Sequence, residues 1–319
     1  MRLGIVGYGR LGRAAEQMAA RISDFDVTGV FTRREAKDII GATAPVYPVD
    51  RLPDMASEID CALICLGSSR DTPSFTPRIA TLVNTVDSYD KHIDISRHRS
   101  RVDGGARLGG NCSLVSVGWD PGLFSLFRIY MSAFLPDGIT NTFWGRGISQ
   151  GHSEAIRKIR GVKAAVQYTV PKAGAVSLAE SGARLSDTER HERVCYVVCD
   201  GGEEERIKSE ICGLDGYFRG YSTRVNFITE EELAREHGGA GHGGRVVSVG
   251  RSGVYGENCA RAELSLTLDS NPEFTAGVML SASLATVRMK KEGRLGAYTL
   301  FDIPPSYLLP IGKSEYDYF

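Results

Sequence analysis

Apolar residues in the first third of the chain fall in short solid blocks rather than in alternation. Residues 2–6 form one block, 25–31 a second and 60–66 a third, with shorter extended runs at 85–89 and 113–117. Strands apolar on both faces belong to a parallel sheet covered by helices on each side, since alternation arises only where one face meets water. Residues 10–22 and 76–83, between the blocks, have helical composition. Strand and helix in repetition predict an α/β fold, a Rossmann-type doubly wound parallel sheet. After residue 120 the pattern changes. Residues 121–135 read as a helix with Pro121 in its first turn, where a missing N–H costs nothing. Extended runs then dominate at 196–199, 221–228, 245–249 and 262–268, which predicts an α+β domain with an open mixed or antiparallel sheet. A long helical stretch opens at Asn271-Pro272 and runs to residue 292, with Gly293 as its stop. The expected division is one domain over 1–118, rejoined by 272–319, and a second over 119–271.

Composition narrows the classes. Of 319 residues, 42% are hydrophobic and 24% charged, an ordinary globular mix that excludes a mainly disordered chain. No apolar stretch approaches the roughly 20 residues of a helical bilayer span. Lys plus Arg number 38 against 39 Asp plus Glu, a net charge of -1, which gives no field to hold nucleic acid or an anionic membrane. Glycine is in excess, 37 residues, which points to tight turns and close ligand approach to the backbone. Seven cysteines are scattered with no CxxC, so neither a disulfide framework nor a metal site is expected. With a strand at the very start and no signal-peptide layout, the expected location is the reducing cytoplasm.

Gly7-Tyr8-Gly9-Arg10-Leu11-Gly12 fits GxGxxG with an apolar strand before it and a helix after it. In that setting Gly7 permits the tight turn, Gly9 lets a pyrophosphate approach the backbone, and Gly12 lets helix and strand pack closely. The helix N-terminus offers unpaired N–H groups and partial positive charge to phosphate. The second strand ends in Thr32-Arg33-Arg34, with no acidic residue for a ribose 2′-hydroxyl. Two guanidiniums and a hydroxyl suit a 2′-phosphate, so NADP(H) is favoured over NAD(H). Cys65, Gly67, Ser68 and Ser69 end the third strand, and Ser88, Tyr89 and Asp90 the next, both at the edge that faces a cofactor.

Asp90 and Asp120 stand where strands should deliver them to that crevice. Carboxylates there fit two roles: binding an ammonium and taking its proton, or the common use of Asp in turns and before helices. Several blocks are far more specific: Gly118-Trp119-Asp120-Pro121-Gly122, Phe143-Trp144-Gly145, Ser149-Gln150-Gly151-His152-Ser153, Val166-Gln167-Tyr168-Thr169 and Gly241-His242-Gly243-Gly244. With the glycine motif, Thr32-Arg33-Arg34 and Asn271-Pro272, they give the chain, over nearly its whole length, a close resemblance to the meso-diaminopimelate dehydrogenase family. That resemblance implies a homodimeric NADP-dependent oxidoreductase of lysine biosynthesis. Such an enzyme reversibly deaminates the D-centre of meso-2,6-diaminopimelate to L-2-amino-6-oxopimelate and ammonia. It implies that Asp90 and Asp120 hold the reacting amine, and that Trp119, Trp144, Gln150 and Gly151 shape the D-end. Thr169, Arg193 and His242 grip the distal carboxylate, Asn271 lies near the distal amine, and Pro121 and Gly122 join the cofactor contacts. Domain 1–118 then binds the dinucleotide, and 119–271 binds substrate and dimerises. From the residues alone, Arg193 also fits a solvated polar run. His242 fits either a plain loop residue or part of a glycine-rich lid, and His152 a packing or capping residue. Two other readings stand beside this one: a dehydrogenase of another diamino acid or D-amino acid, and a non-catalytic NADPH sensor.

Overall fold

The computed structural model describes every residue except Ser69, Pro136, Arg146 and Ala240, and describes Gln150 by its backbone alone. The chain folds into two compact units, one of Met1–Leu126 with Pro272–Phe319 and the other of Phe127–Asn271. In chain order the elements are β1 (Arg2–Val6), α1 (Arg10–Ala19), β2 (Asp26–Thr32), β3 (Val46–Pro48), β4 (Cys61–Ile64), α2 (Asp71–Ile79), β5 (Asn84–Asp87), α3 (Ile95–Leu108), β6 (Cys112–Leu114) and α4 (Leu123–Phe134). The second unit continues with β7 (Ile139–Trp144), β8 (Gly147–Ile148), α5 (Gln150–Arg157), β9 (Val162–Pro171), α6 (Ala175–Glu180), α7 (Asp187–Arg190), β10 (His191–Cys199), α8 (Glu204–Gly213), β11 (Ser222–Phe227), α9 (Glu230–His237), β12 (His242–Ser252) and β13 (Asn258–Leu268). The chain closes with α10 (Asn271–Lys291) and β14 (Gly296–Tyr298).

In the first unit seven parallel strands pair in the order β14-β6-β5-β4-β1-β2-β3. The order reverses at β1, so a crevice opens beyond the C-terminal ends of β1 and β4. One face is covered by α1 and α10, whose Ala15, Ala19, Met279 and Leu280 pack on Ile5, Leu63 and Val86. α10 is buried or half-buried along most of its length, which fits a helix without a distinct polar face. On α3, Val102 and Ala106 join a second cluster with Ala80, Val115 and Ala297. The helix expected at 76–83 instead occupies Asp71–Ile79. Pro73 falls in its first turn, where it breaks no hydrogen bond. Gly104 and Gly105 obscured α3 in the sequence. A Cβ at Gly105 would lie 2.1 Å from the Pro77 carbonyl oxygen, so that glycine permits the close crossing of α2 and α3.

The boundary lies inside α4, not at residue 118, so Trp119, Asp120, Pro121 and Gly122 belong to the first unit. Their turn is bonded back on itself: Leu123 and Phe124 donate their N–H groups to the carbonyls of Gly118 and Trp119 at 3.1 and 2.8 Å. Pro121 accordingly precedes α4 rather than filling its first turn, and the Asp120–Pro121 bond is cis. The second unit has two sheets where one was expected. β11-β10-β9-β8 is mixed, with β10 and β11 parallel. β13-β12-β7 is antiparallel. Ile156 of α5 and Ile207 and Ile211 of α8 pack on Cys195 and Val197 of the first sheet. Ala175 and Ala179 of α6 pack on Phe143, Val247 and Val249 of the second. Among the described residues no helix is long and apolar enough to cross a membrane.

Candidate functional site

The turn after β1 is built around its glycines. Gly7 has φ +92, and a Cβ there would fall 2.8 Å from the Cys65 carbonyl oxygen. A Cβ on Gly12 would sit 2.2 Å from the Gly7 carbonyl oxygen, whereas Gly9 faces open space, with no atom within 4 Å of a Cβ. α1 begins with Gly9 at its cap and neither a side-chain cap nor an acidic residue in the first turn, so its leading N–H groups are available to an anion. A cavity of about 230 Å³ lies here, lined by Gly7, Tyr8, Gly9, Thr32, Arg33, Arg34, Cys65 and Gly67 among others. Arg33 pairs with Asp71 at 2.6 Å near the surface and lies over the Phe75 ring, while Arg34 donates to the Tyr8 carbonyl. A partly exposed pair of this kind exchanges readily for a phosphate. The cradle therefore fits a dinucleotide with a phosphorylated ribose. Arg10 and Leu11 open α1 beside it. Burial pushes the Cys65 thiol up to about 12, which keeps it neutral.

Glu16 was not singled out by sequence, although an acid among Ala14, Ala15 and Ala19 on the covered face of α1 is a legible signal. Its carboxylate accepts from the Tyr8 hydroxyl and from the N–H groups of Thr43 and Ala44 at 2.9 and 2.7 Å. Burial opposes ionisation, but these donors outweigh it and hold the carboxyl below its ordinary range. Burial and then the Glu16 bond raise the Tyr8 phenol to about 12.

Ser68 follows β4, and its Oγ accepts the Asp90 N–H at 3.4 Å; Ser69 lies outside the described residues. Ser88, Tyr89 and Asp90 follow β5, with Tyr89 buried and Asp90 exposed. Asp120 follows β6, adjacent to β5 in the sheet, and receives the Ser125 hydroxyl at 3.5 Å. Gly122 has φ +135, and a Cβ there would fall 1.8 Å from the Gly118 carbonyl oxygen, so the Asp120 turn admits only glycine. Trp119 is buried edge-on to Phe124 at 5.2 Å. Both acids are thus carried to the C-terminal edge of one sheet.

The second unit gathers another set. Thr169 on β9 pairs across the sheet with Arg193 on β10 and with Gly147 on β8. The Arg193 guanidinium donates to the Thr169 hydroxyl and lies 4.1 Å over the Tyr221 ring. It is 8% exposed, has no carboxylate partner among the described residues, and its Nε lacks any hydrogen bond. Burial lowers its pKa. His242 packs on Gly147, where a Cβ would meet the ring at 2.3 Å. It opens β12, with Gly243 and Gly244 as ladder residues paired to β13, so His242 and these two glycines are strand rather than loop. Burial lowers the His242 pKa. Trp144 ends β7, stacked 5.2 Å from His191, whose Nε2 accepts the Trp144 N–H at 3.0 Å. His191 went unnoticed in a polar run because register, not composition, turns it inward. Gln150 and Gly151 start α5, and Asn271 starts α10. His152 receives the Ser149 hydroxyl contact at 2.6 Å, and burial drives its pKa down to about 4. The described residues hold no cluster of three or more His, Cys, Asp or Glu able to seat a metal.

Residues 118–270 match the model of the diaminopimelic acid dehydrogenase C-terminal domain. The chain is 44% identical to the meso-diaminopimelate D-dehydrogenase of Acetivibrio thermocellus, over 99% of this chain and 96% of that one. It belongs to the meso-diaminopimelate D-dehydrogenase family. The family's Corynebacterium glutamicum enzyme, solved in complex with DAP, matches with a TM-score of 0.93 and 41% identity over 99% of this chain and 97% of that one. An engineered D-amino acid dehydrogenase bound to NADP+ matches at 0.89 and 40%, over 99% and 98%.

Proposed function

We propose that this protein is an NADP-dependent meso-2,6-diaminopimelate D-dehydrogenase, releasing L-2-amino-6-oxopimelate and ammonia from the substrate's D-centre. Family membership supports the reaction, and one observation in the chain carries the two-ended substrate: Arg193, a buried cation with no carboxylate partner among the described residues. A guanidinium held that way is completed by an incoming carboxylate. Thr169, bonded to it, and His242 join it at that carboxylate, and Asn271 serves the distal amine. When bound, NADP supplies the electron sink that accepts hydride from the D α-carbon. Asp90 and Asp120 hold the reacting ammonium, and one of them takes the proton that must leave nitrogen for the C–H electron pair to depart. Water adds to the resulting imine and ammonia leaves. Trp119, Trp144, Gln150 and Gly151 fit the D-end and exclude its mirror image. Gly7 to Gly12, Thr32 to Arg34, Cys65, Gly67, Ser68, Ser88, Tyr89, Pro121 and Gly122 border the cofactor.

The active form is a homodimer of the cytoplasm. α4 leaves Ile129, Tyr130 and Phe134 at 45%, 44% and 69% exposure in the second unit, an apolar face that a second copy would cover. All seven cysteines are free, in keeping with a reducing compartment. The deciding experiment is NADP reduction with meso-, LL- and DD-diaminopimelate. Turnover with the meso isomer and little with LL is expected. Faster turnover of D-alanine than of the meso isomer would move the assignment to a broad D-amino acid dehydrogenase, and NADP binding without turnover to a sensor.

A further inference from the structure

Asp87 closes β5 fully buried, and His98 on α3 meets it with Nε2 2.7 Å from Oδ2. The other carboxylate oxygen, Oδ1, accepts the N–H of Tyr89 at 3.1 Å and the N–H of Ser116 at 2.9 Å. The Asp87 carbonyl accepts the Val117 N–H at 2.8 Å. One residue therefore ties the turn after β5 to the turn after β6. The first turn ends in Asp90; the second leads through Gly118 and Trp119 to Asp120. Ser116 has φ +57, a left-handed backbone that a residue with a Cβ adopts only when its surroundings hold it there. The bond from its N–H to Asp87 is one such hold. Tyr89 stacks on the His98 ring at 4.3 Å and 29°, so α3 supports the first turn as well as the carboxylate. Among the described residues His98 Nδ1 is buried with no partner, which leaves the Nε2 bond as the ring's one polar anchor there. A buried ionisable pair is not needed to hold a parallel sheet together, since apolar side chains of similar volume do so at least as well. What this pair adds is a fixed relation between two neighbouring strand ends.

We propose that Asp87 and His98 are a positioning pair that sets the placement of Asp90 and Asp120 relative to each other, without touching substrate or cofactor. This rests on the reading that those two carboxylates hold the reacting amine. His98→Phe keeps the stacking on Tyr89 but cannot donate to Asp87, while His98→Gln carries an N–H to about the Nε2 position. In the full-length enzyme with NADP and meso-diaminopimelate, His98→Phe should lose about 100-fold in kcat, the cost of a displacement on the order of 1 Å at a reacting group. Its Kd for NADP, set mainly by α1 and the Arg33–Arg34 end and only in part by the two turns, should rise no more than a few-fold, far less than the loss in kcat, and His98→Gln should recover most of the lost turnover. Wild-type turnover by His98→Phe would overturn the proposal. So would a parallel loss of turnover and NADP affinity in both variants, the signature of general damage to the fold. Should the Phe variant not fold, nitrogen-15 histidine spectra of the wild-type chain decide: a hydrogen on Nε2 is expected, and a ring that carries its hydrogen on Nδ1 with Nε2 bare overturns the pair. That spectrum does not depend on the substrate, whereas a wild-type enzyme inert toward diaminopimelate would fail the functional reading instead.

Discussion

Arg193 offers a perturbation whose effects on binding and on folding separate. In Arg193→Met the guanidinium goes while the buried volume is roughly kept. A carboxylate bound by that group makes two charge-assisted hydrogen bonds of about 1.5–3 kcal/mol each. Their loss amounts to about 3–6 kcal/mol, or roughly 10²- to 10⁴-fold in kcat/KM for diaminopimelate. Folding stability should respond quite differently. The variant gives up the bond to Thr169 and the contact with Tyr221, together about 2–4 kcal/mol. It also escapes the desolvation of a buried charge, a cost of several kcal/mol. The two nearly cancel, so the thermal midpoint should move by only a few degrees. The assay is steady-state NADP reduction with meso-diaminopimelate and, in parallel, with a short D-amino acid that has no distal carboxylate. The short substrate should lose little. Equal losses for both substrates would refute the reasoning, because Arg193 would then be supporting the reacting end or the fold rather than the far carboxylate.

Two further outcomes test the site from other sides. Replacing Arg33 and Arg34 together by Ala should weaken NADP binding by roughly 10²- to 10⁴-fold, about 1.5–3 kcal/mol per guanidinium–phosphate contact, and change NAD binding only a few-fold; equal losses, read by fluorescence titration, would take the 2′-phosphate away from these residues. His191 sets a pH dependence of stability: burial first, then Arg190 and Arg193, push its pKa down from 6.5 to about 4. The unfolded chain binds the extra proton between those values, so this stability is fully present above pH 6.5 and is lost as pH falls through 4, by up to about 3 kcal/mol. Denaturant melts of the wild type between pH 7 and 4 should therefore fall more steeply than those of His191→Phe, and parallel slopes would contradict the assignment.

The features most legible in the sequence were those whose chemistry is local. Gly7 and Gly12 are legible because each answers a steric need set by a few neighbouring residues, and Gly9 because it leaves the start of α1 open. Asp90 and Asp120 were legible as strand ends, though their ordinary role in turns reads the same way until β5 and β6 are seen side by side. His242 was misplaced in a loop, since glycine composition does not reveal that β13 and β7 pair with that segment on either side. α3 was hidden by Gly104 and Gly105, the second of which serves a helix crossing rather than a turn.

By itself the sequence determined the parallel sheet, the glycine turn, the pair of arginines at the second strand end and the family. All of these depend on residues near one another along the chain, or on blocks long enough to be matched whole. The tertiary structure alone decided what the buried polar groups are for. That Asp87 faces His98, that Glu16 gathers Tyr8 with Thr43 and Ala44, and that Arg193 lies buried beside Thr169 over Tyr221 are facts of strand register and helix packing. A side chain's charge is written in the sequence, but what that charge meets depends on segments that only the folded chain brings within hydrogen-bonding distance.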